Sequence, residues 1–275
     1  MDLLTLKDIA IAAALAAGKL IQKYMLEEVP VEKKQGGSSY ASQVVTKVDR
    51  ACEHVILSHL KPSCEEYDIA LLSEETEDDG SRFEKEYFWC IDPMDGTLAF
   101  INKRPGFSVS IALLAKNGSP QIGVVFDPST DHLYYAIKGE GAYKNGKPWK
   151  IELKNKYLSY VTDRKLKDTP RVDEIKAILA QEVEKQNLEG IAEISGAGAV
   201  LCAIRVLENG PACMLKFPKE KKGGGSIWDY AATACIYQEL GLPATNFTGG
   251  RLDLNKREGS FMNREGVLYA NFLPV

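Results

Sequence analysis

The stretch Trp89-Cys90-Ile91-Asp92-Pro93-Met94-Asp95-Gly96-Thr97 constrains this chain more than any other. An apolar run that ends in two acids reads as a buried strand delivering carboxylates to its C-terminal edge. Pro93 has no N–H for a central ladder and Gly96 permits a sharp turn, so the strand is expected to stop here. A turn starting at Asp92 brings Asp92 and Asp95 to one side, where the two negative side chains repel unless a cation sits between them. Gly96 and Thr97 then open a short helical turn, whose free backbone N–H groups suit a phosphate. The plainer alternative is a solvated Asp-Pro turn followed by an Asp-Gly turn.

The rest of the sequence bounds the chemistry. A chain of 275 residues can form one large domain or two intimate halves and bury most of its apolar surface. A net charge of -4 argues against a nucleic-acid polymer or a membrane surface as partner. The longest apolar run, residues 9–17, is too short to span a bilayer, and its flanks do not make a secretory signal. The six cysteines form no C-x-x-C pair, and four lie in apolar stretches, as reduced core residues of a cytoplasmic protein would. The three histidines, His54, His59 and His132, are too few for an imidazole-based metal site. Any metal must then take oxygen ligands, which favours magnesium over zinc.

In chain order, residues 3–25 carry a helical apolar period. A Gly-Gly-Ser-Ser loop at 36–39 precedes a second helix, which Thr46 and Asp49 open in the manner of a capping box. Residues 69–72 read as a short buried strand with Glu74 aimed from its exit. Residues 107–113, 121–126 and 133–137 alternate or turn as an antiparallel meander. The run Gly141-Ala142-Tyr143-Lys144-Asn145-Gly146-Lys147 mimics a phosphate-binding loop, but Pro148 replaces the required hydroxyl, so it reads as a hairpin turn. From about residue 152 strands and helices alternate: strand 159–162, helix 171–187, strand 191–194, a helix after Gly196-Ala197-Gly198, strand 212–217, and a helix from Trp228 to about Leu240. The expected class is α/β, with an α+β half over 1–152 and an α/β half over 153–275 forming one compact catalytic unit. Gly196-x-Gly198 alone is a weak dinucleotide signal and reads better as a point of close backbone approach. Asp229, at a helix start, is explicable by the helix dipole alone.

Taken together, Leu72-Ser73-Glu74-Glu75, Asp92-Pro93-Met94-Asp95-Gly96-Thr97 and Trp228-Asp229-Tyr230-Ala231-Ala232 resemble, in order, the signatures of the inositol monophosphatase superfamily. The likeness runs from Val45-Thr46-Lys47-Val48-Asp49 to Phe261-Met262-Asn263. It implies a layered α/β/α/β/α sandwich and a magnesium-dependent, lithium-sensitive phosphatase with two or three ions. Glu74, Asp92, Asp95, Asp229 and the Met94 carbonyl match the metal ligands, with Asp92 bridging two ions. Asp49 and Thr97 match the pair that positions and activates the nucleophilic water, and Glu74 shares that task. The Gly96 and Thr97 N–H groups would hold the phosphate, with Gly196, Gly198, Lys222 and Asp229 on the substrate side.

Within the superfamily, Gly196-Ala197-Gly198, Gly225-Ser226-Ile227-Trp228-Asp229 and residues 261–268 look closer to the 3'(2'),5'-bisphosphate nucleotidases than to the inositol branch. Lys219, Lys221 and Lys222 would suit a second phosphate, although a solvated loop explains them equally. Leu98-Ala99 stand where such nucleotidases usually carry Lys and Glu, a departure that bears on the second phosphate and not on hydrolysis. The expected reaction is 3'-phosphoadenosine 5'-phosphate to AMP and phosphate. Inositol monophosphate is the alternative, and sugar bisphosphates, histidinol phosphate or a non-catalytic metal- and phosphate-binding role rank lower. A haloacid-dehalogenase mechanism needs two Asp separated by one residue, and here two residues intervene. The expected partner is a small phosphate ester; oligomeric state stays open, a homodimer included.

Overall fold

The computed structural model describes residues 1–26, 31–33, 44–169 and 171–272, with residues 31–33 and 44–46 described only as paired strands. The elements run α1 (Leu3–Met25), β1 (Val31–Lys33), β2 (Val44–Thr46), α2 (Lys47–Tyr67), β3 (Ala70–Ser73), β4 (Tyr87–Asp95), α3 (Thr97–Ile101) and β5 (Ser108–Ala115). They continue with β6 (Pro120–Asp127), β7 (His132–Ile137), β8 (Gly141–Lys144), β9 (Lys147–Pro148), β10 (Tyr157–Thr162), α4 (Val172–Lys185) and β11 (Gly190–Ser195). The chain closes with α5 (Ala199–Glu208), β12 (Ala212–Lys216), α6 (Ile227–Glu239), β13 (Ala244–Thr245) and β14 (Val267–Ala270). The loop expected at 36–39 and the side chain of Thr46 lie outside the described residues.

Seven strands form one sheet in the order β3-β4-β5-β6-β7-β8-β9, parallel between β3 and β4 and antiparallel elsewhere. A second sheet runs β11-β10-β12-β14-β13, parallel across its first three strands. Strand alternation decides what each face covers. In β4, Trp89 and Ile91 pack with Leu6, Ala13, Ala17 and Cys52 from α1 and α2, while Phe88 and Cys90 face the opposite core. That central core also holds Val200 and Ile204 of α5, Tyr230 and Ile236 of α6, and Met214 and Val267 of the second sheet. Cys213, Leu215 and Tyr160 point the other way, onto Ile175 and Leu179 of α4. The layers are thus α1/α2, sheet, α5/α6, sheet, α4. Because helices cover both faces of each sheet, the strands read as continuous apolar runs.

The meander and the Asn145-Gly146 hairpin form as expected; Asn145 and Gly146 both take positive φ, 50° and 75°, which a tight two-residue turn demands. The expected strand end at Pro93 does not hold, since β4 continues to Asp95. The register with β5 shifts between the pairs Asp92↔Ser110 and Asp95↔Ser108, so Pro93 and Met94 occupy a bulge. At a bulge the missing proline N–H breaks no ladder bond. All six cysteines are free and five are buried. Among the described residues no helix is long and apolar enough to cross a membrane.

Gly123 on β6 meets α6 closely: a Cβ there would stand 2.2 Å from the Ala232 carbonyl oxygen and 2.8 Å from Cys235 Cβ. Gly123→Ala is expected to destabilise the chain by about 1–3 kcal/mol, seen as a lower urea midpoint at unchanged slope. An unaltered midpoint would contradict this packing.

Candidate active site

The bulge in β4 places Asp92 and Asp95 at the end of the first sheet facing the central helical layer. Asp92 Oδ1 accepts the Met94 N–H at 3.0 Å, while its Oδ2 is buried without a hydrogen-bond partner. Asp95 reaches across to α5, where Oδ1 accepts from Ala199 N at 3.1 Å and Oδ2 from Val200 N at 2.8 Å. Asp229 stands in the first turn of α6 and accepts the Ser226 N–H, which makes it a capping residue as well as a site residue. One carboxylate oxygen from each of Asp92, Asp95 and Asp229 lies within 4.8 Å of the others.

Two further acids lie near enough for their charge to reach Asp92, outside the group of three. Glu74 follows β3, and its N–H donates to Ile91 O at 3.2 Å, extending the pairing with β4 by one residue toward Asp92. Asp49 is buried in the first turn of α2. Burial holds the Asp92 carboxyl well above the usual carboxylate range, and the charges of Glu74, Asp95, Asp229 and Asp49 push it the same way. Burial and then Asp229 lift Asp95 to about 7, against the lowering effect of the Val200 and Ala199 N–H groups. Loss of water raises Asp229 too, opposed by the Ser226 N–H and by Lys216.

The remaining sequence-predicted residues take distinct places. Thr97 Oγ1 donates to the Met94 carbonyl at 3.2 Å, so the hydroxyl and the expected metal-ligating carbonyl are neighbours. Gly96 caps α3 at φ 84° with no room for a side chain, since a Cβ would stand 2.3 Å from Gly106 O. Gly198 lies against Asp95, whose carboxylate a Cβ would meet at 2.2 Å, and its N–H donates to Gly106 O at 2.8 Å. The Gly196 carbonyl approaches Gly106 from the same side. These two glycines therefore line the seam where Asp95 crosses to α5. Lys222 is exposed on the loop before α6.

Two residues that the sequence reading missed also belong to this region. Lys216 closes β12 with its ammonium 3.3 Å from Asp163 Oδ2. Burial disfavours its charge, but Tyr230, Asp163 and Asp229 outweigh that and hold it well above the ordinary lysine value. Lys216 in turn lowers Asp163 to about 2. The available signal was a lysine ending an otherwise apolar strand. The second missed residue is Glu53, a buried acid one helical turn beyond Asp49.

An all-oxygen set of converging carboxylates with an orphaned buried oxygen fits a hard divalent cation. Among the described residues this is the one such group of three acids. Layered architecture and acidic centre together suit a protein that works through a bound cation. The model of the inositol monophosphatase family matches residues 2–273, and the chain belongs to that family. Inositol monophosphatase 3 of Solanum lycopersicum is 30% identical over 269 residues, covering 93% of this chain and 91% of its own. The Nus factor SuhB of Vibrio cholerae is 31% identical over 255 residues, covering 88% of this chain and 85% of its own. Among solved structures, the inositol monophosphatase of Anabaena superposes with a TM-score of 0.67 at 26% identity, covering 98% of this chain and 92% of that one.

Asp92 and Asp95 keep their protons to higher pH in the fold than the ordinary 3.8. The stability that their protonated forms contribute is complete below that value and is lost as pH rises through the raised range, about 7 for Asp95. With a chelator present, the melting midpoint should fall between pH 5 and pH 8. Added magnesium should raise it, and by more at pH 8, because cations compete with protons for the same oxygens. An equal response at both pH values would contradict the assignment of a cation site to these acids.

Proposed function

We propose that the protein is a magnesium-dependent phosphomonoesterase acting on a small phosphorylated metabolite, best a 3'(2'),5'-bisphosphate nucleotide. The observation that carries the hydrolytic reading is the meeting of Asp92, Asp95 and Asp229 around an unpartnered buried oxygen, with the charges of Glu74 and Asp49 reaching Asp92. Glu74, Asp92, Asp95, Asp229 and the Met94 carbonyl would hold two or three magnesium ions. Bound magnesium supplies positive charge that polarises the phosphoryl group and makes water a better nucleophile at neutral pH.

Around that charge the chain's own groups divide the work. Asp49 and Thr97 orient the attacking water, and Asp49 with Glu74 takes its proton. The Thr97 hydroxyl is directed by its bond to the Met94 carbonyl, which supports its role next to the cation ligands. The N–H groups of Gly96 and Thr97, at the start of α3, accommodate phosphate oxygens. Water displaces the alcohol in line, giving inorganic phosphate and the free hydroxyl compound without a phosphoenzyme. Asp229 faces the departing oxygen from α6. The free cysteines suit a reducing, cytoplasmic setting.

Substrate choice rests on the cations beyond Asp229. Burial lowers the Lys219 pKa, and Lys216, Arg164 and Lys221 crowd it further with positive charge. A second phosphate would relieve that crowding, with Lys222 on the same exposed loop. Inositol monophosphate is the second reading, favoured by the name and near-complete coverage of the tomato relative.

Phosphate release from 3'-phosphoadenosine 5'-phosphate and from inositol 1-phosphate, side by side and with lithium added, tests both readings. The bisphosphate should give the higher kcat/KM, and lithium should inhibit. Asp92→Asn should reduce turnover of either substrate on the order of a hundredfold or more. The double variant Lys219→Ala/Lys222→Ala should raise KM for the bisphosphate about tenfold while leaving the inositol ester nearly unchanged. Full activity in Asp92→Asn would end the hydrolytic assignment, and equal KM changes would end the bisphosphate one.

A further inference from the structure

Glu53 lies on α2 four residues after Asp49, so the two acids share one face of the helix, stacked a turn apart. Its carboxylate is buried, and Oε1 accepts hydrogen bonds from the hydroxyls of Ser73 and Thr76, the latter at 3.0 Å. Those two residues bracket Glu74 and Glu75. On the other side, the backbone of the same segment is held to β4 through the bond from Glu74 N to Ile91 O.

The segment needs such a hold. Between Glu74 and Asp79 the chain carries five acids, Glu74, Glu75, Glu77, Asp78 and Asp79, whose mutual repulsion drives them apart and toward water. Glu74 must instead turn inward, toward a cluster that is already negative. Hydroxyl bonds to a buried carboxylate are among the stronger hydrogen bonds, and losing the acceptor strands two donors. One helix therefore presents Asp49 to the acidic cluster and, a turn later, anchors the loop that aims Glu74 at it.

We propose that Glu53 is a positioning residue: through Ser73 and Thr76 it holds the exit of β3 in the conformation in which Glu74 receives a divalent cation. The inference rests on the phosphatase reading given above and extends it to a residue that touches neither cation nor substrate. It requires an acceptor oxygen at position 53 and not a negative charge as such. Glu53→Gln should therefore preserve function where Glu53→Ala does not.

Calorimetric titration of the purified full chain with manganese(II) tests this without relying on turnover. Glu53→Ala should weaken binding about tenfold or more, the range expected when an outer-shell partner of a metal ligand is removed. Glu53→Gln should stay within about threefold of the wild type, because its amide oxygen still accepts both hydroxyl bonds. The double variant Ser73→Ala/Thr76→Val, which keeps Glu53, should reproduce the weakening. In activity assays the magnesium needed for half-maximal rate should rise in parallel, with substrate KM at saturating magnesium unchanged. Wild-type affinity in Glu53→Ala, or equal defects in Glu53→Ala and Glu53→Gln, would overturn the role of Glu53 and leave the phosphatase reading standing. Failure of the wild type to bind manganese at all would overturn both.

Discussion

Carboxylates placed where water cannot separate their charges repel strongly, and each one that stays ionised in a buried setting costs several kcal/mol unless something positive faces it. The architecture around β4 is a partial answer to that repulsion. Asp95 takes two N–H groups from the start of α5, and Asp229 takes one from the start of α6. Both helices thus turn their positive ends toward the acids. Lys216 adds a full charge from the second sheet. What the protein leaves uncompensated is Asp92, whose Oδ2 has no partner and whose neighbours are acids on several sides. That residual imbalance is what a divalent cation held there would remove.

Placing these charges requires three segments far apart in sequence to meet at one point, and backbone proximity makes it feasible. Gly96, Gly106 and Gly198 come together where side chains would collide with carbonyl groups or with Asp95 itself, and the carbonyl of Gly196 is one of those groups. The backbone therefore approaches backbone where the Gly198 N–H donates to Gly106 O, while the Asp95 carboxylate makes the link from β4 to α5. Behind it, the central core joins one face of each sheet through α5 and α6.

Much of this was legible in the sequence because it depends on local pattern. The uninterrupted apolar strands, the meander and the strand-helix alternation after residue 152 follow from periodicity. The three acidic segments were found because their residue types and order carry the chemistry. Other features depend on partners that the sequence does not place. Pro93 signalled a strand end, but the bulge opposite Ser108 and Ser110 absorbs it, and no local rule reveals the register of β5. Gly198 looked like a substrate loop residue, while its tightest contact is the carboxylate of Asp95, more than a hundred positions earlier. Lys216 and Glu53 each sit in an element that reads as ordinary packing. Their significance appears only once Asp163 and Asp229, or Ser73 and Thr76, are seen beside them.

The pair of hydrogen bonds that Asp95 accepts from α5 has a further consequence. With one lone pair of each oxygen committed to Ala199 or Val200, the directions left for any other ligand are dictated by the helix and not by the aspartate's own rotamers. Val200, Leu201 and Ile204, sealed in the central core, therefore fix where those two N–H groups stand. Repacking among those aliphatic groups would shift the α5 amides and, with them, the direction in which the Asp95 oxygens point.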